Sequence, residues 1–302
     1  MAGVDILIPH FRDPEGLRIS LESIAAQTWT GDMRVVLVDD GSEPEFYQEI
    51  EAQAEAFPLP VTLERNPVNR GRPYTRNRLL DGVDNPFVAW LDAGDTWYPE
   101  KLEKQFEQIS RLRYIGEDAD RYWITCHYDW QWEGRRARQI EQQTDVRQMR
   151  ELMLGQKLRA YLWTLLGTAK AFKIAGRFDE RLPRLQDLDY FVRFVLAGGI
   201  LTVPRRTGVL CKYHKSDVGR NAQEIRACNH LIYRKYRPHL EAYGPSFLKT
   251  IRYNADMLSA RFARNNGAPG QNLYYIGRAT LAHPKRAIGA ARFHLRKTQE
   301  SA

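Results

Sequence analysis

Cysteine is scarce: the 302 residues carry three, Cys126, Cys211 and Cys228, widely separated and without a CxxC pair. Such spacing supplies neither a zinc site nor a disulfide framework, and it fits a reducing cytoplasm. Long apolar runs are missing too. The longest candidate, residues 194–203, carries Gly198-Gly199 and falls short of the ~18 apolar residues a membrane span needs. The first residues lack the ordered basic, apolar and small-residue segments of a signal peptide, and Asp5 sits inside the first strand-like run. The chain has no internal repeat, no low-complexity segment and no motif that reads nucleic acid, so a nucleic-acid partner is not expected.

What is present is an ordinary globular composition, 43% hydrophobic and 27% charged. The length accommodates a domain of ~200 to 250 residues with an appendage. The net charge of +8 is unevenly placed: residues 215–302 hold 16 Lys and Arg against 5 Asp and Glu, while residues 1–214 hold 29 against 32. The basic end is therefore expected to face an anionic surface. Within it, residues 284–297 set Ile288, Ala291 and Leu295 at i, i+3 and i+7, with Lys285, Arg292 and Arg296 near another face. Anionic lipid fits such a helix, each basic residue contributing about 1 kcal/mol near the surface. A solvated basic helix packed on its own domain is the other reading.

Residues 4–9, 34–38, 61–64 and 87–91 read as buried strands, and residues 14–26, 44–56 and 74–80 as helices between them. This alternation predicts a doubly wound, mostly parallel α/β sheet. Right-handed crossovers bring the strand carboxyl ends to one edge, so Pro9, Asp39-Asp40 and Asp92/Asp95 are expected to meet. The second half is less regular. It reads as a strand over 122–128, a polar loop over 131–148, a stretch packed on the sheet at 159–172, a helix over 187–196 and an edge strand at 208–214. From residue 220 the pattern is helical, with breaks at Pro238, Gly244-Pro245, 267–270 and His283-Pro284.

The stretch with most chemistry is Phe87-Val88-Ala89-Trp90-Leu91 running into Asp92-Ala93-Gly94-Asp95, with Pro99 marking a helix start. Two acids at a strand's carboxyl end suit a hard cation carrying a phosphate. The same D-x-x-D pattern also caps turns, and the residues alone leave both readings open.

Seven segments then occur in a telling order: Ile6-Leu7-Ile8-Pro9; Leu21-Glu22-Ser23-Ile24-Ala25-Ala26-Gln27-Thr28; Val36-Leu37-Val38-Asp39-Asp40-Gly41-Ser42; Arg76-Asn77; Leu91-Asp92-Ala93-Gly94-Asp95 with Pro99-Glu100-Lys101-Leu102; Gly176-Arg177-Phe178-Asp179-Glu180; and Gln186-Asp187-Leu188-Asp189. Together they resemble the family 2 glycosyltransferases of the GT-A fold, over residues 4–215. The resemblance implies an α/β, Rossmann-like GT-A catalytic domain over residues 1–215, its nucleotide-sugar half at 1–98 and its acceptor half at 99–215, followed by a basic helical region at 216–302. It implies a nucleotide-sugar donor, most simply a UDP-sugar, a glycan or glycoconjugate acceptor and inversion of the anomeric centre; the cysteine usage adds the expectation of a cytoplasmic protein, and the lipid reading of the basic tail a place peripheral to the inner face of a membrane.

Matched residue by residue, the resemblance makes Pro9, Phe11, Asp39, Asp40, Arg76, Asp92 and Ala93 the donor site. Asp40 is the acid that accepts a hydrogen bond from the nucleotide base, Asp39 supports its turn, and Arg76 braces the diphosphate, with Arg70 and Arg72 as further candidates. Asp187 is the general base that takes the acceptor's proton, and Asp189 its structural partner. A divalent cation, Mn or Mg, is implied at Asp92, Asp95 and His214. The chain departs from the family there: the usual pattern is Asp-Ala-Asp-Asp, and Gly94 replaces the third member. Either Asp92 and Asp95 hold a cation while Gly94 lets the backbone approach the diphosphate, or arginines neutralise the phosphates without metal. Trp97, Trp130, Trp132 and Trp163 supply either core or a flat face for an acceptor sugar. Two rival functions are a nucleotide-sugar pyrophosphorylase, whose Gly-rich loop Pro9-His10-Phe11-Arg12-Asp13-Pro14 lacks, and a non-catalytic sugar-nucleotide-binding protein.

Overall fold

A computed structural model describes residues 3–132, 136–215 and 221–289, and the chain divides into two compact units, Met1–Ser216 and Asp217–Ala302. The larger unit opens with β1 (Val4–His10), α1 (Pro14–Ala25), β2 (Met33–Asp39), α2 (Pro44–Ala56), β3 (Val61–Arg65), α3 (Arg72–Asp81) and β4 (Phe87–Trp90). β1 is buried at all seven positions and β4 at all four, as expected of parallel strands covered on both faces. Proline at the first turn starts α1, α2 and α3, where its missing NH costs nothing. α1 is also capped by Asp13, whose carboxylate accepts from the Gly16 NH at 2.9 Å. Its Leu17, Leu21 and Ile24 turn inward to the core formed with Ile6, Ile8, Val35 and Leu37. α3 starts at Arg72, ahead of the periodic stretch, because Gly71 at φ +87° turns the chain and Pro73 follows directly.

The unit continues through β5 (Thr96–Trp97), α4 (Lys101–Tyr114), β6 (Tyr122–Ile124), β7 (His127–Trp132), β8 (Arg138–Ile140), α5 (Gln148–Leu154), β9 (Leu166–Thr168), α6 (Ala169–Ala175), α7 (Gln186–Leu196), β10 (Ile200–Thr202) and β11 (Val209–Lys215). A seven-stranded sheet has the order β10-β6-β9-β4-β1-β2-β3, and a four-stranded sheet the order β5-β11-β7-β8. In the first, β9 is antiparallel to both β4 and β6, and the remaining pairings are parallel. The architecture is thus mixed α/β with a mostly parallel central sheet flanked by helices.

Several expectations need correction in this half. The strand foreseen over 122–128 is two strands in two sheets. Between them Thr125 donates its NH to Thr202 O at 2.8 Å and its hydroxyl meets that of Thr164 at 2.8 Å, so the chain is tied down where it changes sheet. The polar loop at 131–148 contains β8 and the buried Gln142, which holds the Arg159 backbone at both its NH and its carbonyl. Residues 159–172 supply β9, a full member of the sheet. β11 is interior to the second sheet, between β5 and β7.

The smaller unit consists of α8 (Ala222–Glu241), α9 (Pro245–Asn265) and α10 (Pro269–Ala282), with residues 284–289 again helical. Asn221 caps α8, accepting from the NH groups of Gln223 and Glu224. Pro238 does not break α8 as expected; it lies inside the helix close to the carboxyl end, where few hydrogen bonds remain to lose. Asp256 on α9, almost fully buried, pairs with Arg226 of α8 at 2.6 Å and Arg278 of α10 at 3.6 Å. α10 buries Tyr275 and Ala279 and leaves Leu273, Tyr274, Ile276 and Leu281 exposed.

Candidate active site

The carboxyl ends of β1, β2 and β4 converge on one edge, and each contributes polar side chains there. His10, at the end of β1, donates from Nδ1 to Asp39 at 3.0 Å, while its Nε2 accepts from the Asp13 NH at 3.2 Å, which fixes one tautomer. Asp39 also accepts from the NH and hydroxyl of Ser42. Burial by itself would raise the Asp39 carboxyl, but His10 and Ser42 outweigh it and hold the group below its usual value. Asp39 is therefore a buried post under the turn. Asp40 points its carboxylate at the next loop: it accepts from Asn66 Nδ2 at 2.7 Å, Arg70 NH at 2.9 Å and Gly71 NH at 2.9 Å. Gly41, at φ +74°, is required here, because a Cβ on it would stand 2.4 Å from the Val68 carbonyl carbon.

The turn after β4 is pinned from α1. Gly94 donates to Gly16 O at 3.0 Å and to Ser20 Oγ at 3.1 Å, while the Ser20 hydroxyl donates to Asp95 O at 2.8 Å. Ser20 was invisible to sequence reasoning, since a serine within an amphipathic helix gives no local signal. Arg76, fully buried on α3, crosses to this turn and gives Asp92 two hydrogen bonds from Nη2, at 2.8 and 3.0 Å. Its Nη1 pairs with Asp187 on the first turn of α7. The Leu162 NH reaches the other Asp187 oxygen at 3.4 Å. Asn77 fixes α3 to the segment before α7, exchanging hydrogen bonds with the Phe178 backbone and donating from Nδ2 to Glu180 Oε1 at 2.9 Å. Leu185 stands at φ +59° just ahead of α7, a strained conformation for a bulky residue that aims the helix start.

Burial raises the acidity cost of Asp92, yet the charges of Arg76 and Arg72 and the Arg76 hydrogen bonds win, leaving its carboxyl below the usual value. Asp95 has no such partner. Burial first, and then the charge of Asp92, push its carboxyl well above the usual value. Its Oδ1 accepts from the His214 backbone NH at 3.2 Å.

The structure therefore gathers Asp39, Asp40, Arg76, Asp92, Asp95 and Asp187 at one sheet edge. Pro9 is buried at the end of β1, Ala93 is half-buried in the turn, and Phe11 is 38% exposed, with the Arg12 guanidinium 4.7 Å above its ring. Asp189 is fully buried and pairs with Arg193 at 2.9 Å, a structural role. His214 contributes its backbone, while its residue is exposed. Among the described residues, no group of three or more His, Cys, Asp or Glu side chains converges as a metal site. The expected trio of Asp92, Asp95 and His214 is not assembled: both oxygens of Asp92 face Arg76, Gly94 offers no donor, and Asp95 is turned to a backbone NH. These residues do not fit a hard cation as a protein-built centre. Of the tryptophans, Trp97 and Trp163 are core, while Trp130 and Trp132 are part-exposed.

A family model, "Glycosyl transferase family 2", matches residues 5–177. The chain belongs to that family. Among its relatives is the "Succinoglycan biosynthesis protein ExoW" of Rhizobium meliloti (strain 1021), 36% identical over 128 residues that make up 41% of this chain and 38% of that protein. Another is the "UDP-Glc:alpha-D-GlcNAc-diphosphoundecaprenol beta-1,3-glucosyltransferase WfgD" of Escherichia coli, 26% identical over 106 residues, 35% of this chain and 40% of that protein. The match thus spans well under two thirds of these curated relatives. The fold is shared with S. aureus TarS 1-349 in complex with UDP-GlcNAc, at TM-score 0.59 and 14% identity over 94% of this chain and 91% of that one. It is shared also with the mannosyltransferase PcManGT from Pyrobaculum calidifontis in complex with GDP-Man and Mn2+, at TM-score 0.56 and 17% identity over 95% of this chain and 79% of that one. These neighbours are GT-A transferases, and the family member described here has their fold.

Proposed function

We propose that this chain moves a sugar from a nucleotide diphosphate donor, a UDP-sugar, to an acceptor hydroxyl with inversion. The observation that carries the reading is Asp187, held by Arg76 on one oxygen and by the Leu162 NH on the other, next to Asp92 at the end of the central strand. Arg76 keeps the carboxylate oriented. Asp187 takes the proton from the acceptor hydroxyl as that oxygen attacks the anomeric carbon in line, and the nucleoside diphosphate leaves. Arg76 acts on the donor through Asp92, since both of its terminal nitrogens are engaged by carboxylates.

The base end of the donor sits at Asp40. An ionised carboxylate offers about four acceptor positions, and three are used by the loop that starts α3. One further NH donor, such as the imide of uracil, completes the set. Phe11, exposed beside this turn, supplies a flat face for the base. A lipid-linked glycan is the acceptor class best supported, from the substrate printed in the name of the Escherichia coli relative. The exposed apolar residues of α10 and the basic composition of residues 215–302 support a place against the inner face of a membrane.

Asp187→Asn tests the reading. It should retain UDP affinity within about twofold and lower turnover by about 10² to 10⁴, the contribution of a positioned base. A variant with undiminished turnover removes Asp187 from the mechanism. If the wild-type chain binds UDP but releases no product from labelled donor with membrane-extract acceptors, the non-catalytic alternative stands.

A further inference from the structure

The family's acid pattern fails in this chain at Gly94, and the backbone shows that the turn is built around the glycine. Its φ of +94° is a conformation that L side chains rarely adopt. An added Cβ would have room, meeting Asp13 Oδ2 at 3.5 Å, so space is not what excludes an acid there. The backbone conformation does: φ +94° is disfavoured for any L side chain, and the NH bonds to Gly16 O and Ser20 Oγ hold the turn in it. The acids on either side are committed to protein partners, Asp92 to Arg76 and Asp95 to the His214 NH. A sugar nucleotide nevertheless brings an anionic diphosphate to this edge, and that charge needs a cation.

The arginines nearby can be sorted by what they already hold. Arg76 is engaged by Asp92 and Asp187, Arg12 by Glu43, and Arg65 lies near Asp39 and donates to Ser42 O. Arg70 lies over the Tyr74 ring at 4.4 Å. Arg72 is different: it is exposed and has no hydrogen bond or ion pair among the described residues. It precedes Arg76 by four residues on α3, so the two side chains share one helix face. Its charge is felt at both Asp92 and Asp95. The first turn of α3 contains no acid to compete for it.

We propose that Arg72 is the cation that receives the donor diphosphate, and that donor binding in this chain needs no divalent metal. The proposal rests on the donor reading above. A guanidinium fork meets two phosphate oxygens at once, which a lysine ammonium does not reproduce. Gly94 then has a reason: the turn it makes leaves the edge free of a third acid that would repel the diphosphate.

Titration calorimetry with UDP and with uridine, in EDTA and in Mn2+, tests this on the full chain. The wild type should bind UDP with the same affinity in both media, within about twofold. Arg72→Gln should weaken UDP by about tenfold or more, the scale of a lost charge-assisted hydrogen bond, while uridine affinity stays unchanged. Arg72→Lys should recover part of the loss. Arg72 is exposed at the first position of its helix, and an unchanged melting temperature for Arg72→Gln verifies that the fold is intact. UDP binding that requires Mn2+, or equal UDP affinity in Arg72→Gln and wild type, overturns the proposal. If the wild type binds neither UDP nor uridine in either medium, the donor reading itself falls and this proposal with it.

Discussion

The two halves of the larger unit furnish the same edge by different means. β1, β2 and β4 are buried apolar runs that release polar side chains where they end, so Asp39, Asp40, Asp92 and Asp95 meet through side chains, with Arg76 as the clamp. Residues 122–215 supply mostly backbone: the Leu162 NH to Asp187 and the His214 NH to Asp95. Asp187 is the exception, a side chain delivered by α7 to a partner 111 residues earlier. The first half should therefore be sensitive to the identity of its side chains, and the second to the path of its chain.

The largest effect is expected at the clamp. Arg76→Met removes the one cation between two partly buried carboxylates, and breaking such a pair costs about 3 to 5 kcal/mol. Urea denaturation should show that loss, and a variant as stable as wild type would mean that Asp92 and Asp187 do not depend on Arg76 for compensation. Next is the turn after β2. Gly41→Ala forces a side chain into φ +74° and against Val68, at a cost of about 1 to 3 kcal/mol. Because Asp40 binds the same loop, UDP affinity should fall as well. Equal affinity would detach the loop from the base site.

Asp92 and Asp95 should also respond to pH in opposite directions. The folded-state value of Asp92 is lowered, so its contribution is present above the unfolded value and disappears as pH falls through the folded one. Asp95 is raised, so the folded chain holds the extra proton above the unfolded value, and stability declines as pH climbs toward the folded one. Asp95→Asn removes that decline: relative to wild type it should be more favourable at pH 7 than at pH 4. Chemical denaturation at both pH values decides it, and an equal difference at the two would mean that Asp95 titrates normally.

The same contrast explains what could be read in advance. Parallel strands covered on both faces appear in sequence as unbroken runs such as Val35 to Val38, and Pro14, Pro44 and Pro99 announce helix starts, so the edge with Asp39-Asp40 and Asp92 was legible. β9 was not: Leu166-Gly167-Thr168 is too short to show a period, and its place between β4 and β6 depends on partners 42 or more residues away. The second sheet draws on β5, β7, β8 and β11, scattered from residue 96 to 215, and no local pattern connects them. Residue types at strand ends indicated that these acids would share one edge, as they do in the structure, but which groups pair across it is a tertiary fact. Arg76 read as a diphosphate ligand, and in the structure it links Asp187 to Asp92 at the strand end. His214 read as a metal ligand, and the contact the structure shows for it at this edge is its backbone NH to Asp95.

The smallest expected effect follows from that last difference. If His214 served through its imidazole, His214→Ala would weaken donor binding as a lost ligand does. In the structure the contact to Asp95 is the backbone NH, at 3.2 Å, which alanine keeps, and the residue is exposed. Partial loss of solvent around the ring and the charge of Lys212 lower the imidazole below its usual value, so at neutral pH it carries little charge to lose. His214→Ala should change stability by no more than about 0.5 kcal/mol, as exposed substitutions do, and should leave UDP affinity within about twofold. His214→Pro has no NH to donate and is the sharper probe: it should disturb Asp95 and the β11 pairing where alanine does not. Calorimetry with UDP on the two variants separates backbone from side chain, and a strong loss in the alanine variant would return the imidazole to the site.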